Sequence, residues 1–74
     1  MQSLFDLNPG QQGTVGILHV KGSMRRRLLD IGLIADTPVC CLGRSPGGGM
    51  RAYLIRGAVI ALRDEDCKTI EIQK

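Results

Sequence analysis

Few side chains in this sequence can ligate a metal or move a proton. There is one histidine, His19, three cysteines, Cys40, Cys41 and Cys67, and one acidic cluster, Asp64-Glu65-Asp66. Cys40 and Cys41 are adjacent in a strand-like stretch, so their thiols point to opposite faces and do not readily share an ion. No Cys-x-x-Cys spacing occurs, and ferrous iron prefers imidazole and carboxylate to lone thiolates. His19, Cys40 and Cys41 are therefore the metal candidates, and the expectation is that no dedicated metal site forms. Cys67 reads as a small apolar filler. No carboxylate pair brackets a cleft, and one histidine would have to serve every proton transfer. Ser23 and Ser45 have no base nearby in the sequence. The run Pro46-Gly47-Gly48-Gly49 lacks the Lys-Ser/Thr of a phosphate cradle, and a strand rather than a helix follows it. The expectation is a protein that is not an enzyme and holds no cofactor.

The totals agree with a chain that binds rather than transforms. Seventy-four residues make one domain, 1–74, near the lower limit for an unstapled core. An odd number of cysteines without a secretory signal argues against a disulfide framework and for a reducing, cytoplasmic compartment. The longest apolar run, Ala58-Val59-Ile60-Ala61-Leu62, is far too short to span a bilayer, so no direct membrane insertion is expected. A net charge of +3 favours acidic partners only weakly. Phe5 and Tyr53 are the only aromatic residues, too few for a base-stacking platform.

One helix has both ends written into the sequence. Over Gly22–Leu33, Ser23 suits the N-cap, Gly32 the left-handed closing residue, and Leu33 folds back onto Leu28. Met24, Leu28 and Ile31 make one inward stripe, and Leu29 lies off it. Arg25, Arg26 and Arg27 crowd the first turn and Asp30 the last, each against the helix dipole, with Arg26–Asp30 pairing as partial relief. Charge runs of this kind are ordinarily just solvated. Around the helix the chain alternates. Strands are predicted at Gly13–Val20 (Val15, Ile17 and His19 on one face), Thr37–Leu42, Met50–Ile55, Ala58–Leu62 and Thr69–Gln73. Ala58–Leu62, apolar on both faces, reads as central. Pro9-Gly10 and Arg56-Gly57 are turns, Gly43–Gly49 is a loop, and Arg63–Cys67 is a helical turn capped by Asp64. The predicted fold is mainly β: a small, partly closed, five-stranded antiparallel barrel with one short helix after strand one, plugging an open end.

These blocks resemble a known family. Leu7-x-x-Gly10, Gly13-x-Val15 and Arg27-Leu28-Leu29-Asp30-Ile31-Gly32-Leu33 in the first half are similar to ferrous-iron transport protein A, FeoA. So are Pro46-Gly47-Gly48, Tyr53-x-Ile55-Arg56-Gly57, Ile60-Ala61-Leu62-Arg63 and Ile70-x-Ile72 in the second. The resemblance covers nearly the whole chain. The family usually carries a Pro-Gly turn after the helix, where Ala35-Asp36 stands here. The resemblance implies an SH3-like barrel in the cytoplasm, acting beside FeoB, a membrane ferrous-iron transporter with a cytosolic GTP-binding domain. The same domain looks like the C-terminal module of iron- and manganese-dependent repressors, but 74 residues leave no room for their DNA-binding and dimerisation regions.

The expected role is an accessory or regulatory protein of ferrous-iron uptake that docks on the cytosolic part of such a transporter. The expected surface combines Arg25, Arg26 and Leu29 with Arg44, Met50, Arg51, Tyr53 and Arg56, because arginine, tyrosine and methionine are enriched in interface cores. Alternatives are a transition-metal carrier or metal-responsive SH3-like module, which needs His19 and a thiol to converge, and a nucleic-acid-binding barrel. The ten basic residues are scattered over every element, which counts against nucleic acid. Self-association is left open by the sequence.

Overall fold

A computed structural model describes residues 2–73. A 3₁₀ turn at Leu4–Asp6 precedes β1 (Gln12–Leu18), α1 (Gly22–Asp30), β2 (Pro38–Arg44), β3 (Met50–Ile55), β4 (Ala58–Arg63), α2 (Asp64–Cys67) and β5 (Ile70–Gln73). All ladders are antiparallel, and the strand order is β4-β3-β2-β1-β5. The mainly β architecture and the helix after β1 are as predicted. Among the described residues no ladder joins β4 to β5, so the sheet curls without closing on itself.

The position of β4 corrects the sequence reading. It forms an edge and not the centre, and Val59 is 65% exposed. Its second apolar face looks outward, beside the outward-facing residues of β3. Two bulges also break the expected alternation. Between Val15 and Leu18, β1 gains a residue relative to β5, so Val15 and Leu18 point inward while Ile17 is turned out. Between Cys41 and Gly43, β2 gains Leu42, which is likewise exposed. Beyond Leu18 the chain leaves the strand, although Val20 is still buried.

The helix C-terminus forms as the sequence predicts. Gly32 takes φ +91, Leu33 N–H donates to Leu28 C=O (2.9 Å), and Gly32 N–H donates to Leu29 C=O (3.0 Å). These two bonds satisfy carbonyls the last turn would otherwise leave bare. Leu28 and Leu33 are fully buried, and Met24 and Ile31 pack against the core. The N-terminus differs. The helix begins at Gly22 with Lys21 in the cap position, so Ser23 caps nothing. Likewise Arg63 rather than Asp64 precedes α2. At the Ala35-Asp36 turn, Asp36 adopts φ 73, a conformation that suits glycine better than most residues. Its carboxylate accepts a bond from Gln73 (2.8 Å), which ties the turn to β5.

One buried cluster, including Leu4, Val15, Leu28, Leu33, Val39, Cys41, Tyr53, Ile55, Leu62, Cys67, Ile70 and Ile72, unites every element. The open seam between β4 and β5 is filled by the 3₁₀ turn and α2. Two β3 side chains hold them there. Tyr53 is wholly buried and its hydroxyl donates to Leu4 C=O (2.8 Å). Arg51, only 5% exposed, donates through Nη1 to Phe5 C=O (2.9 Å) and Leu7 C=O (3.3 Å). Its guanidinium stacks 4.0 Å from the centre of the Phe5 ring. Its Nε faces Asp64 Oδ1 at 3.4 Å, an ion pair without hydrogen-bond alignment.

Gly32 is a sharp test of this packing. An added Cβ would lie 2.6 Å from Arg56 Cδ, whose Nε donates to Gly32 C=O (2.8 Å). Gly32→Ala therefore meets both a left-handed backbone penalty of roughly 1–2 kcal/mol and a side-chain collision. Urea denaturation should show a loss of at least that size, and Arg56→Ala in the same background should recover the collision part alone.

Burial pushes the Tyr53 phenol far above its ordinary 10.0, with the neighbouring Cys67 thiol adding to the effect. Burial also raises Cys67 above its ordinary 9.0. The folded state thus keeps protons that the unfolded chain gives up. Their contribution to stability is whole at neutral pH and declines as pH climbs past about 9. Urea midpoints should fall steadily above that pH. Tyr53→Phe should cost about 1 kcal/mol at pH 7, since Leu4 C=O keeps its Leu7 N–H donor (3.1 Å). The variant should also flatten the part of the decline above pH 10.

Candidate interaction surface

The expected contact residues separate into three groups. Arg51 and Tyr53 leave the surface altogether. The alternation that places them with Ile55 on one face turns that face inward, and each polar group finds a carbonyl of the 3₁₀ turn. Arg44 and Met50 stand at one end of the β2–β3 pair. Met50 is 36% exposed, and Arg44 Nη2 reaches Asn8 Oδ1 at 3.4 Å. Arg25, Arg26, Leu29 and Arg56 belong to the other side, around α1 and the β3–β4 hairpin tip. Five residues of extended β3 put Met50 about 17 Å from Ile55 and the hairpin tip.

Within the third group each arginine is held differently. Arg25 Nη1 donates to Leu18 C=O (2.6 Å) and ties the first turn of α1 to the end of β1. Arg26 pairs loosely with Asp30 (3.6 Å) on a solvated face, as the sequence suggests. Such exposed pairs contribute little. Arg56 takes φ 49 and Gly57 φ 82, the paired positive values of a tight hairpin turn. That turn delivers the Arg56 side chain to the end of α1 at Gly32. Leu29 is 37% exposed.

What joins the second and third groups is a surface that the sequence reading did not anticipate. The outward residues of β3 are Met50, Ala52 and Leu54. Their cross-strand partners are Arg63, Ala61 and Val59 on β4, and Cys40 and Gly43 on β2. Leu42, Leu54 and Val59 are all exposed. The outer face of β2–β4 is thus largely apolar and bordered by Arg44, Arg56 and Arg63. A cleft of about 270 Å³ opens on it, lined by Leu42, Gly43, Arg44, Ser45, Met50, Ala52 and Ala61 with the stem of Arg51. The signal was present in the two-sided apolar pattern of β4, but it reads equally well as a buried central strand.

The metal candidates occupy different surroundings. His19 Nε2 lies 2.7 Å from Glu71 Oε2 on an exposed rim. Cys41 is wholly buried with Tyr53 opposite it, whereas Cys40 is half-buried on the outer face opposite Leu54. Cys67 fills the core, as expected. Among the described residues no three His, Cys, Asp or Glu side chains gather closely enough to hold an ion. No helix of the structure is long and apolar enough to cross a membrane.

Comparison with known proteins places the fold. No curated protein matches the chain. Among solved structures it is similar to FeoA from Chlorobium tepidum, at 24% identity and a TM-score of 0.91, covering 96% of this chain and 68% of that one. It is similar to Stenotrophomonas maltophilia FeoA complexed with zinc, a prokaryotic SH3 domain protein, at 22% identity and a TM-score of 0.81, covering 99% and 91%. A manganese-dependent transcriptional repressor matches at 25% identity and a TM-score of 0.83, over 96% of this chain but only 40% of its own. The FeoA domain model matches residues 2–74. The chain belongs to the FeoA family of non-enzymatic accessory proteins of ferrous-iron transport.

Proposed function

We propose that this protein acts in the cytoplasm by docking on the cytosolic part of a FeoB-type ferrous-iron transporter. The docking surface is the outer face of β2–β4, continued past Arg56 to α1. The observation that carries this reading is the exposure of Leu42, Met50, Leu54 and Val59 on one sheet face with arginines at its border. A row of large apolar side chains costs solubility unless something covers it. Methionine and arginine are also the residue types that interface cores favour. The surviving candidates fit two roles. Met50 and Arg44 frame the cleft, and Arg26 and Leu29 present a charged rim with an apolar centre. Arg25, engaged by Leu18, is a positioning residue for α1 rather than a free contact.

Two variants separate these roles. Leu42→Asp with Met50→Asp removes the apolar centre and, because both residues are exposed, should shift the melting temperature by only a few degrees. Affinity for the transporter's soluble cytosolic region, followed by calorimetric titration, should fall by roughly tenfold or more, the loss expected when a central anchor is lost. Arg26→Glu should weaken binding by a smaller factor that shrinks as salt is added, since a rim charge acts chiefly on encounter. Unchanged affinity in both variants rejects this surface.

A further inference from the structure

The two edges of the sheet are treated differently. The outer edge of β5 is covered by the chain's own N-terminal segment: Ser3 bridges to Glu71, and Ile72 N–H donates to Gln2 C=O (2.8 Å). Among the described residues no strand pairs with the corresponding edge of β4: α2 packs beside its C-terminal end, while Ala58, Val59 and Ala61 stay exposed. Its hairpin partner fixes which groups are free. The two-residue turn makes Ile55↔Ala58 a hydrogen-bonded pair, so Tyr53↔Ile60 and Arg51↔Leu62 are bonded as well. Val59 and Ala61 therefore aim N–H and C=O away from the sheet, and among the described residues no turn or loop group receives them. The usual safeguards are missing. β4 runs Ala-Val-Ile-Ala-Leu-Arg with no proline, no lysine, no inward-pointing charge and no bulge against β3.

The geometry points to a second copy of this chain as the occupant: β4 pairs antiparallel with β4 of another molecule about a two-fold axis through Ala61. Charge complementarity selects a copy over an unrelated strand. The hairpin tip before β4 carries Arg56, which has no carboxylate partner among the described residues. The turn after β4 carries Asp66, which is likewise without an ion partner, whereas Asp64 engages Arg51 and Glu65 engages Arg63. Centring the pairing on Ala61 sets Val59 across from Arg63 and brings the Arg56 tip of each copy to the Asp66 turn of the other. One strand edge is thus basic at its start and acidic at its end, and a two-fold satisfies both ends twice. The pairing also continues the apolar outer face into the second molecule. A single six-residue edge buries much less than the ~1,200 Å² of a stable complex. The dimer is accordingly weak and reversible.

The isolated protein tests this without the transporter, so its outcome does not depend on how the partner docks. Sedimentation from tens of micromolar to one millimolar should show a monomer–dimer equilibrium, with Val59 and Ala61 amides slowing in hydrogen exchange as concentration rises. Val59→Pro removes an N–H that the β3 ladder does not use and should leave the protein monomeric. Asp66→Arg should weaken the dimer at least fivefold at low salt, and adding Arg56→Asp should restore it to within about twofold. A wild type that is monomeric at one millimolar overturns the proposal. So does a dimer whose Val59 and Ala61 amides stay unprotected, or a double variant no better than Asp66→Arg alone. Protection of those amides only when the transporter's soluble region is added would assign the edge to that protein and equally overturn it. Where Val59→Pro fails to fold, the wild-type amides decide.

Discussion

A buried guanidinium holds this fold together where a ladder is missing. β4 and β5 do not pair, and a sheet of five short strands left open at that point would expose its core. Arg51 spans the opening from β3. It binds two carbonyls of the N-terminal turn, faces the carboxylate that starts α2, and sits over the Phe5 ring. Lys68, just beyond α2, sits on the same ring with its ammonium 4.6 Å from the centre. Desolvating a charge is expensive, and removing one partner from such a buried arrangement typically costs ~3–5 kcal/mol. The site tolerates that cost because four separate groups answer the one cation. Tyr53, two residues along the same strand, repeats the device with a neutral hydroxyl on Leu4. These two inward-facing polar side chains of β3 do the work of the missing fifth ladder.

The same strand explains both what the sequence revealed and what it hid. Local signals were legible wherever the backbone had one solution. Gly32 with Leu33 closes the helix, Arg56-Gly57 closes the hairpin, and Pro9-Gly10 turns into β1. The alternation of β3 was legible as two sets, Met50-Ala52-Leu54 and Arg51-Tyr53-Ile55, but not as inside and outside. Polarity alone assigns the arginine outward. The carbonyls that reward its burial belong to residues more than forty positions away, beyond the reach of any local pattern. Reversing that assignment exposes the apolar set instead, and with it the unpredicted outer face. The bulges at Ile17 and Leu42 were hidden for a related reason. An extra residue in one strand has meaning only against its partner, and the partner was not yet in view.

In the proposed docking, function depends on what is displayed, and the chemistry-bearing residues are dispersed. His19 pairs with Glu71 on a rim, Cys41 and Cys67 are interior, and Cys40 looks outward alone. A scaffold of this size cannot both build a core and sequester a large pocket. It can present a sheet face, and in the docking proposed above the arginines at the border of that face would supply orientation and the apolar centre adhesion. The tie between Arg56 and the end of α1 matters in this light. It fixes the hairpin tip to the helix, so that the two halves of the surface move as one body.

The seam has a further consequence for how the molecule is made. Its closing contacts join Gln2 and Ser3 to residues 71 and 72, and Phe5 to Arg51. Residues as far as 72 must therefore be free to fold before the opening can be sealed. Until then Leu4 and Phe5 have no complete berth, and contacts so distant in sequence form slowly. A chain that has not yet delivered β5 has no sealed sheet, and that interval is when it most needs protection from its neighbours.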